Sequence, residues 1–347
     1  MHDSAKKDEL VAAANISGKM PGKITIADVA RLAGVSKAVA SRALSPEPRP
    51  VSAEKRERVL AAARDLGFRV NLLAQSLTTK TVNLVAVVVN HIHDLSDLDL
   101  FDKLLAEVQA IGKQVILIRV GSVDKVEEFL RQGVAYHVDA ALVFSDFADA
   151  ATVREMFRTD QVIMLNGRHD RLSRAIVPDD GQGILEAVAD AARKGVRTAA
   201  LVTGRATSLV EQARGQTYRE AFKRHGIILT KTVQGDYSYL SGHAAAGEFV
   251  GEDFPDAVFC TSDAMAMGIL DLCRVHFPGN EPAHFRLYGF DDLSLLDFDA
   301  YPIASIGYDK TAFVHEMVKM ITEPGAFVPG TPPVRVPTRF VSRATAG

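Results

Sequence analysis

From Leu84 to the C-terminus, short β-branched runs alternate with amphipathic runs of helical period. This alternation constrains the fold more than any other feature of the chain. Candidate strands fall at 84–89, 114–118, 140–144, 162–165, 199–202, 258–260 and 286–289. Candidate helices fall at 102–111, 123–132, 184–194, 217–225, 242–250 and 264–275. Strands joined through helices run parallel, with the helices covering both faces of the sheet. About 250 residues of this pattern exceed one ordinary open sheet, so two similar α/β subdomains are expected.

The first 80 residues read differently. Residues 25–66 predict three short helices. Thr25 can cap the first, answered by Asp28 as in a capping box, and its apolar stripe is Ile26, Val29, Ala30, Leu32 and Ala33. Gly34 breaks that helix, and Ser36 caps a second running to about Leu44. Beyond Pro46, Pro48 and Pro50, Ser52 caps a third, with Val59, Leu60, Ala63 and Leu66 facing inward. Two short helices meeting at Gly34-Val35-Ser36 form a helix-turn-helix in physical terms. Ala30 lets the helices approach, and Val35 and Val39 fill the angle between them. The second helix then presents Lys37, Ala38, Ser41 and Arg42 outward. Such a helix fits the DNA major groove, where Arg and Lys read guanine edges and helix N-termini meet phosphates. The plainer reading is a helix pair with a solvated basic face.

Charge separates the two readings. The whole chain carries a net −3, which taken alone argues against a nucleic-acid partner. Residues 1–80 hold 14 Lys+Arg against 8 Asp+Glu, a net +6, and the remaining residues carry −9. A basic end on an acidic body points to an anionic partner for one domain only. Two cysteines, Cys260 and Cys273, give no disulfide framework and read as small buried hydrophobes in a reducing compartment. No apolar run approaches the ~18–20 residues of a membrane span, and the N-terminus is a poor secretory signal. A cytoplasmic location and no membrane partner are expected.

The residues Val29-Ala30, Ala33-Gly34-Val35-Ser36 and Ser41-Arg42 resemble the amino-terminal signature of the LacI/GalR family of bacterial transcription repressors. The resemblance continues through Val51-Ser52-Ala53-Glu54-Lys55-Arg56, Leu66-Gly67-Phe68 and Asn71-Leu72-Leu73-Ala74-Gln75-Ser76-Leu77, and weaker matches such as Gly289-Phe290-Asp291-Asp292 extend it over most of the chain. Val39, Ala40 and Val70 depart from the usual residues, as does the long, proline-rich loop 45–50. The resemblance implies a small all-α helix-turn-helix headpiece, a hinge, and an α/β core of two parallel-sheet subdomains like a periplasmic sugar-binding protein. The boundaries it suggests are a flexible tail at 1–22, the headpiece at 23–69 and a hinge helix at 70–82. The first core subdomain would take 83–178 with 310–323, and the second 179–309 with 324–347. By resemblance, Lys37, Ala38 and Arg42 face the bases, and Thr25, Ser36, Ser41 and Asn71 hold phosphates. Ala74 lies on the hinge, and Leu77 is the apolar wedge that enters the minor groove and kinks the duplex. For Leu77, a linker packing residue is the alternative.

In parallel α/β sheets, ligands bind beyond the carboxyl ends of the strands. That rule selects Asn90 and His91, Ser145 and Asp146, Asn166 to Arg168, Gly204 and Arg205, Ser262 and Asp263, and Asp291 and Asp292. The resemblance selects an overlapping effector set: Asn90, His91, Asn166, Tyr237, Ser262, Asp291 and Tyr308. The family often has Arg three residues before a Gly in the helix after the fifth strand. Here Gln212 holds that place, in Gln212-Ala213-Arg214-Gly215, so either charge comes from Arg205 or Arg214, or the effector differs from a simple hexose. Arg168, Arg205 and Gln212 complete the candidate set. Tyr237 is open between stacking on a sugar ring and packing at a sheet end, and Asp263 reads as a helix N-cap rather than a ligand contact.

His91, His93 and Asp94 have metal-ligand spacing, but no further ligand pattern lies near them. There is no Gly-x-Ser-x-Gly, no phosphate-cradling glycine loop and no Gly-x-Gly-x-x-Gly. The expectation is therefore no enzyme, no metal and no cofactor. The chain reads as a transcriptional regulator that binds a pseudo-palindromic operator in double-stranded DNA as a homodimer, under control of a small polar effector. Competing classes are a solute receptor without a DNA role, which needs a secretion signal, and an α/β metal hydrolase using His91, His93 and Asp94.

Overall fold

The computed structural model describes residues 24–45, 49–68, 82–90, 95–131, 137–249, 254–276 and 285–347. The chain divides into two units, Met1–Lys80 and Thr81–Gly347.

In the first unit, α1 (Ile26–Leu32), α2 (Lys37–Ala43) and α3 (Ala53–Asp65) enclose a core of small side chains. Val29, Ala30, Ala33, Ala40, Ala43, Val59, Ala62 and Ala63 are buried in it. Alanines at four of the five buried positions between Val29 and Ala43 let the backbones approach closely. Three expectations need correcting. Leu32 and Leu60 face solvent, Ala62 takes the inward place given to Leu60, and Ala40 rather than Val39 fills the angle behind the turn. Ser52 stands at the start of α3 but its side chain makes no capping bond.

The second unit has two lobes. In the first, β1 (Leu84–Val89), β2 (Gln114–Arg119), β3 (Ala140–Val143), β4 (Val162–Met164) and β5 (Arg174–Asp179) are parallel, in the order β2-β1-β3-β4-β5. In the second, β6 (Thr198–Thr203), β7 (Ile228–Gln234), β8 (Ala257–Cys260) and β9 (Arg286–Tyr288) are parallel, in the order β7-β6-β8-β9. The strand order turns back at the first strand of each lobe, and that is where open α/β sheets bind ligands.

Both central strands are buried on two faces, which explains their uniform β-branched and apolar sequence. Val85, Val87 and Val89 enter one core of the first lobe, and Ala86 and Val88 enter the other. Ala199 and Leu201 divide from Ala200 and Val202 in the same way in the second lobe. The helices α4 (Leu95–Ala110), α5 (Val123–Arg131) and α6 (Ala150–Phe157) belong to the first lobe. The second lobe holds α7 (Asp180–Arg193), α8 (Leu209–His225), α9 (Tyr239–Ala246) and α10 (Asp263–His276). In the first lobe again, α11 (Lys310–Thr322) packs Phe313, Val314 and Met317 against β1 and α4 residues.

Two late strands join the lobes. β10 (Ser305–Tyr308) pairs antiparallel with β11 (Val334–Val341), and the first half of β11 pairs parallel with β5. Val334 and Val336 belong to a core of the first lobe, whereas Ile306 and Phe340 belong to a core of the second. The segment 324–347 therefore does not fall wholly in the second subdomain as expected. Its strand passes from one lobe into the other, because its hydrogen-bond partners change along its length.

Candidate functional site

The helix-turn-helix is built by local chemistry. Asp28 accepts from both the Thr25 backbone N–H (3.0 Å) and the Thr25 hydroxyl (2.7 Å). Those two hydrogen bonds hold the Asp28 carboxyl below its usual range. Gly34 takes φ +63°, a conformation open to glycine at little cost, and Val35 N–H returns to the Ala30 carbonyl at 3.0 Å. Ser36 Oγ accepts from Val39 N–H at 3.3 Å and starts α2. As expected, Lys37, Ala38, Ser41 and Arg42 are all exposed, on one polar face of a helix whose other face is alanine. Ser36 and Thr25 are exposed beside it. One residue that the sequence did not single out fixes the end of α2. Arg56 of α3 donates to the Ala43 carbonyl (3.1 Å) and to the Arg49 carbonyl (3.0 Å). The hinge residues Asn71, Ala74 and Leu77 lie outside the described residues.

In the second unit, strand ends from both lobes meet at a cleft. Asn90, Asn166, Arg205, Tyr237, Asp291 and Tyr308, six of the ten expected effector residues, line it together. The first-lobe wall is otherwise mostly apolar, with Val89, Leu100, Phe144, Leu165 and Phe313 beside Ser96. The second-lobe wall is polar and charged.

Arg205 and Arg214 both line the cleft, and Arg214 is the more deeply buried of the two. Arg214 is buried, with Nε 2.8 Å from Asp180 Oδ2 and Nη1 donating to the Thr261 carbonyl at 3.0 Å. Its guanidinium carbon lies 3.6 Å from the Phe290 ring centroid. Burial alone would depress its pKa, but Asp180, Asp291 and Glu211 together raise it, so the cation is fixed. Gln212 is a correction. It sits on the outer side of α8, and its amide caps the Ala206 carbonyl at 2.9 Å. The buried face of α8 runs through Glu211, Arg214, Gly215, Tyr218 and Phe222, so the helical period turns position 214 inward and 212 out.

Tyr237 holds φ +74°, and its hydroxyl donates to Glu211 Oε2 at 2.8 Å. Burial, then the Glu211 carboxylate, pushes its pKa up and keeps it a donor. Its ring packs where a side chain at Gly204 would stand, and the Arg205 guanidinium covers it at 4.6 Å. A sugar ring could stack on Tyr237 only by displacing Arg205. Asp291 and Asp292 also hold left-handed backbone, at φ +104° and +49°. Non-glycine residues in this region store roughly 1–3 kcal/mol each, and such strain gathers at functional sites.

Across the mouth, the lobes touch through Asp146. Arg205 Nε lies 3.7 Å from Asp146 Oδ2, and Thr207 Oγ1 donates to the same oxygen at 3.3 Å. Asn166 donates to the other oxygen and reaches Ser208 Oγ at 3.4 Å. Burial pushes the Asp146 carboxyl up, with Arg205 opposing. Asn90 is held from behind: its Oδ1 accepts from Ser145 Oγ (2.7 Å) and Asp146 N–H (3.1 Å). Its Nδ2 is buried without a partner, as are Glu211 Oε1, Asp180 Oδ1 and Thr261 Oγ1. Of these four residues Asn90 lines the cleft, Asp180 and Thr261 bond Arg214, and Glu211 bonds Tyr237.

The remaining expected residues separate from the cleft. Arg168 is exposed and does not line it. Ser262 takes the capping role expected of Asp263, and neither residue lines the cleft. Ser262 Oγ accepts from Met265 N–H at 3.3 Å, capping α10, and donates to the Tyr237 carbonyl at 3.2 Å. Asp263 is fully buried and accepts from Ser305 Oγ (2.6 Å) and Leu293 N–H (2.9 Å), so it ties the 289–293 loop to β10. Its carboxyl is pushed well up by burial and by Asp291. His91, with His93 and Asp94, lies outside the described residues. Among the described residues no group of His, Cys, Asp and Glu could hold a metal, and no helix is long and apolar enough to cross a membrane.

A helix-turn-helix carried on one chain with a two-lobed, cleft-bearing core defines a ligand-responsive DNA-binding protein. Comparison with known proteins agrees. Residues 25–71 match the bacterial regulatory proteins of the lacI family, and residues 188–346 match a periplasmic binding protein-like domain. The chain thus carries a lacI-family helix-turn-helix domain together with a periplasmic binding protein-like domain, and its relatives are regulators of that kind. It is 27% identical to the HTH-type transcriptional regulator AscG of Escherichia coli K12, over 85% of this chain and 90% of that protein. It is 27% identical to the HTH-type transcriptional repressor PurR of Vibrio vulnificus, over 82% and 87%, and 26% identical to catabolite control protein A of Priestia megaterium, over 78% and 83%. The fold matches a lac repressor dimer bound to operator and the anti-inducer ONPF, with TM-score 0.78, 22% identity, and 93% and 99% of the two chains covered. It also matches a complex of the transcriptional regulator CelR with cellobiose, with TM-score 0.65, 23% identity, and 93% and 100% covered.

Proposed function

We propose that the protein is a transcriptional repressor that reads a pseudo-palindromic operator through α2 and is controlled by a small polar effector, a sugar or related metabolite, in the interlobe cleft. The observation that carries the DNA reading is the outer face of α2. Lys37, Ala38, Ser41 and Arg42 are exposed on a helix whose cap, turn and core are all satisfied without them. Lys37 and Arg42 reach base edges in this reading, while Thr25, Ser36 and Ser41 hold phosphates. The effector reading rests on the contrast between the two walls of the cleft, with Asn90, Asn166, Arg205, Arg214, Asp291 and Tyr308 as its contacts. Relatives named as regulators support a regulatory rather than a catalytic role, and a reader of chromosomal DNA works in the cytoplasm.

Selection from a random duplex pool should enrich a site with two-fold symmetry. Arg42→Ala should then weaken binding to that site by about 1–3 kcal/mol and relax preference at one base pair of each half-site. Equal losses on selected and random DNA in a titration would remove α2 as the reading helix.

Self-association follows from the same reading, because one headpiece buries too little DNA contact for tight binding. The exposed apolar residues Leu98 and Leu105 of α4, Leu117 of the edge strand β2, Leu240 of α9, Val275 of α10 and Phe298 sit on neighbouring elements. We place the self-interface there. Leu98→Asp together with Leu105→Asp should convert dimer to monomer in sedimentation equilibrium; an unchanged mass would put the interface on another face.

A further inference from the structure

The loop after β9 carries Asp291 into the cleft, and its far side is gripped by two charged residues of the other lobe. Lys310, the first residue of α11, donates from Nζ to the Asp291 and Asp292 carbonyls, both at 2.8 Å. Asp99 of α4 accepts from the Ser294 backbone N–H through Oδ2 and from the Ser294 hydroxyl through Oδ1, again both at 2.8 Å. The two charges stand 4.0 Å apart, and the ammonium also lies 5.8 Å from the Tyr308 ring. Lys310 is about nine-tenths buried and Asp99 about three-quarters. An ion pair of the first lobe thus closes on one short segment of the second, the cation on its carbonyls and the anion on its donors.

The second lobe holds the same segment by separate means. Asp291 N–H bonds the Ile306 carbonyl at 2.8 Å, Asp292 N–H bonds Ser305 Oγ at 3.1 Å, and Arg343 pairs with Asp292 at 2.8 Å. The segment is therefore rigid within its own lobe, and any pull from Lys310 and Asp99 acts on the lobe as a body.

We propose that Asp99 and Lys310 form a clamp that fixes the angle between the two lobes through the 291–294 loop. The regulatory consequence rests on reading the cleft as the effector site. A ligand that pulls Asp291 toward the cleft moves the carbonyls that Lys310 holds, and so alters how α11 and α4 sit on the second lobe. Lobe rotation needs a contact whose free energy differs between the two arrangements, and charge-assisted hydrogen bonds across the joint supply it.

The test uses the full chain without ligand. Asp124→Cys on α5 and Lys223→Cys on α8, both exposed, carry spin labels, and the native Cys260 and Cys273 are buried and spared. The wild-type interlobe distance should be a single narrow population. Lys310→Met should shift it or add a second population displaced by roughly 5 Å or more, as a hinge rotation of order 10° gives over a lobe's length. Asp99→Asn, which keeps the side chain's shape, should move the distribution in the same direction. Lys231→Met, which removes an ion pair lying wholly within the second lobe, should leave it unchanged. If Lys310→Met does not fold, Asp99→Asn decides alone. Distributions for Lys310→Met and Asp99→Asn that superimpose on wild type overturn the clamp. The measurement is blind to effector occupancy, so its failure leaves the effector reading standing, and a failed effector leaves the clamp standing.

Discussion

A chain that begins at Thr81 is expected to keep its folded core and to lose at least 10³-fold in operator affinity, the lower end of the gap between specific and non-specific binding. The unit Met1–Lys80 has its own hydrophobic core, and none of the residues in that core belongs to a core of the second unit. What is left carries −9, against the +6 removed, so even loose attachment through phosphates is opposed. A mobility-shift titration at low salt, paired with thermal unfolding of the truncated chain, checks both halves. Retained operator binding would remove the headpiece assignment, and loss of cooperative unfolding would show that the core depends on it.

The headpiece was the most legible part of the chain because its determinants are local. Cap, box, glycine turn and alanine spacing all lie within twenty residues and act through the backbone they cap. The central strands were legible for a different reason. A parallel strand buried on both faces must be apolar throughout, as Leu84–Val89 is. The elements that escaped had their patterns broken. β7 is an edge strand whose residues are mostly exposed, so Ile228–Gln234 reads as polar. β5 and β11 carry Pro178 and Pro337, which argue against strands in a sequence; here Pro178 lies near the end of β5, and Pro337 lies mid-strand in β11, where its pairing passes from β5 to β10.

The cleft was half legible. The rule of strand ends found Asn90, Asn166, Arg205 and Asp291 because it needs only the ends of visible strands. It could not separate Ser262 from Asp263, since which of two adjacent residues caps a helix is decided by the loop facing them. The first half of α8 was missed because Glu211 and Arg214 stand where an amphipathic helix would show apolar residues. Charged side chains on a buried face hide the helix from a hydrophobic count, and they are also what makes that face a binding wall. The same gap put Gln212, and not Arg214, in the candidate effector set.

Arg214→Met is therefore expected to be far more damaging than Gln212→Ala, two residues away on the same helix. Methionine fills much of the arginine volume, so the loss is electrostatic rather than a cavity. Without the guanidinium, Asp180 keeps neither its partner at 2.8 Å nor any partner for Oδ1, which is already unpaired. Asp291 and Glu211 lose the cation that faces them. Breaking a buried pair from one side typically costs about 3–5 kcal/mol, and urea unfolding of the full chain should show a loss of that order in the core transition. Gln212→Ala removes one exposed side-chain bond and should stay within about 0.5 kcal/mol. The electrostatic origin has its own signature. Carboxylates left unpaired in a buried site take raised pKa values in the folded state, so the variant should recover stability as pH falls toward those values, whereas wild type should not. Adding Asp180→Asn to Arg214→Met should likewise restore part of the loss. Losses that simply add, with no recovery at acid pH, would mean that Arg214 acts by packing on Phe290 and not as the counter-charge of the cleft.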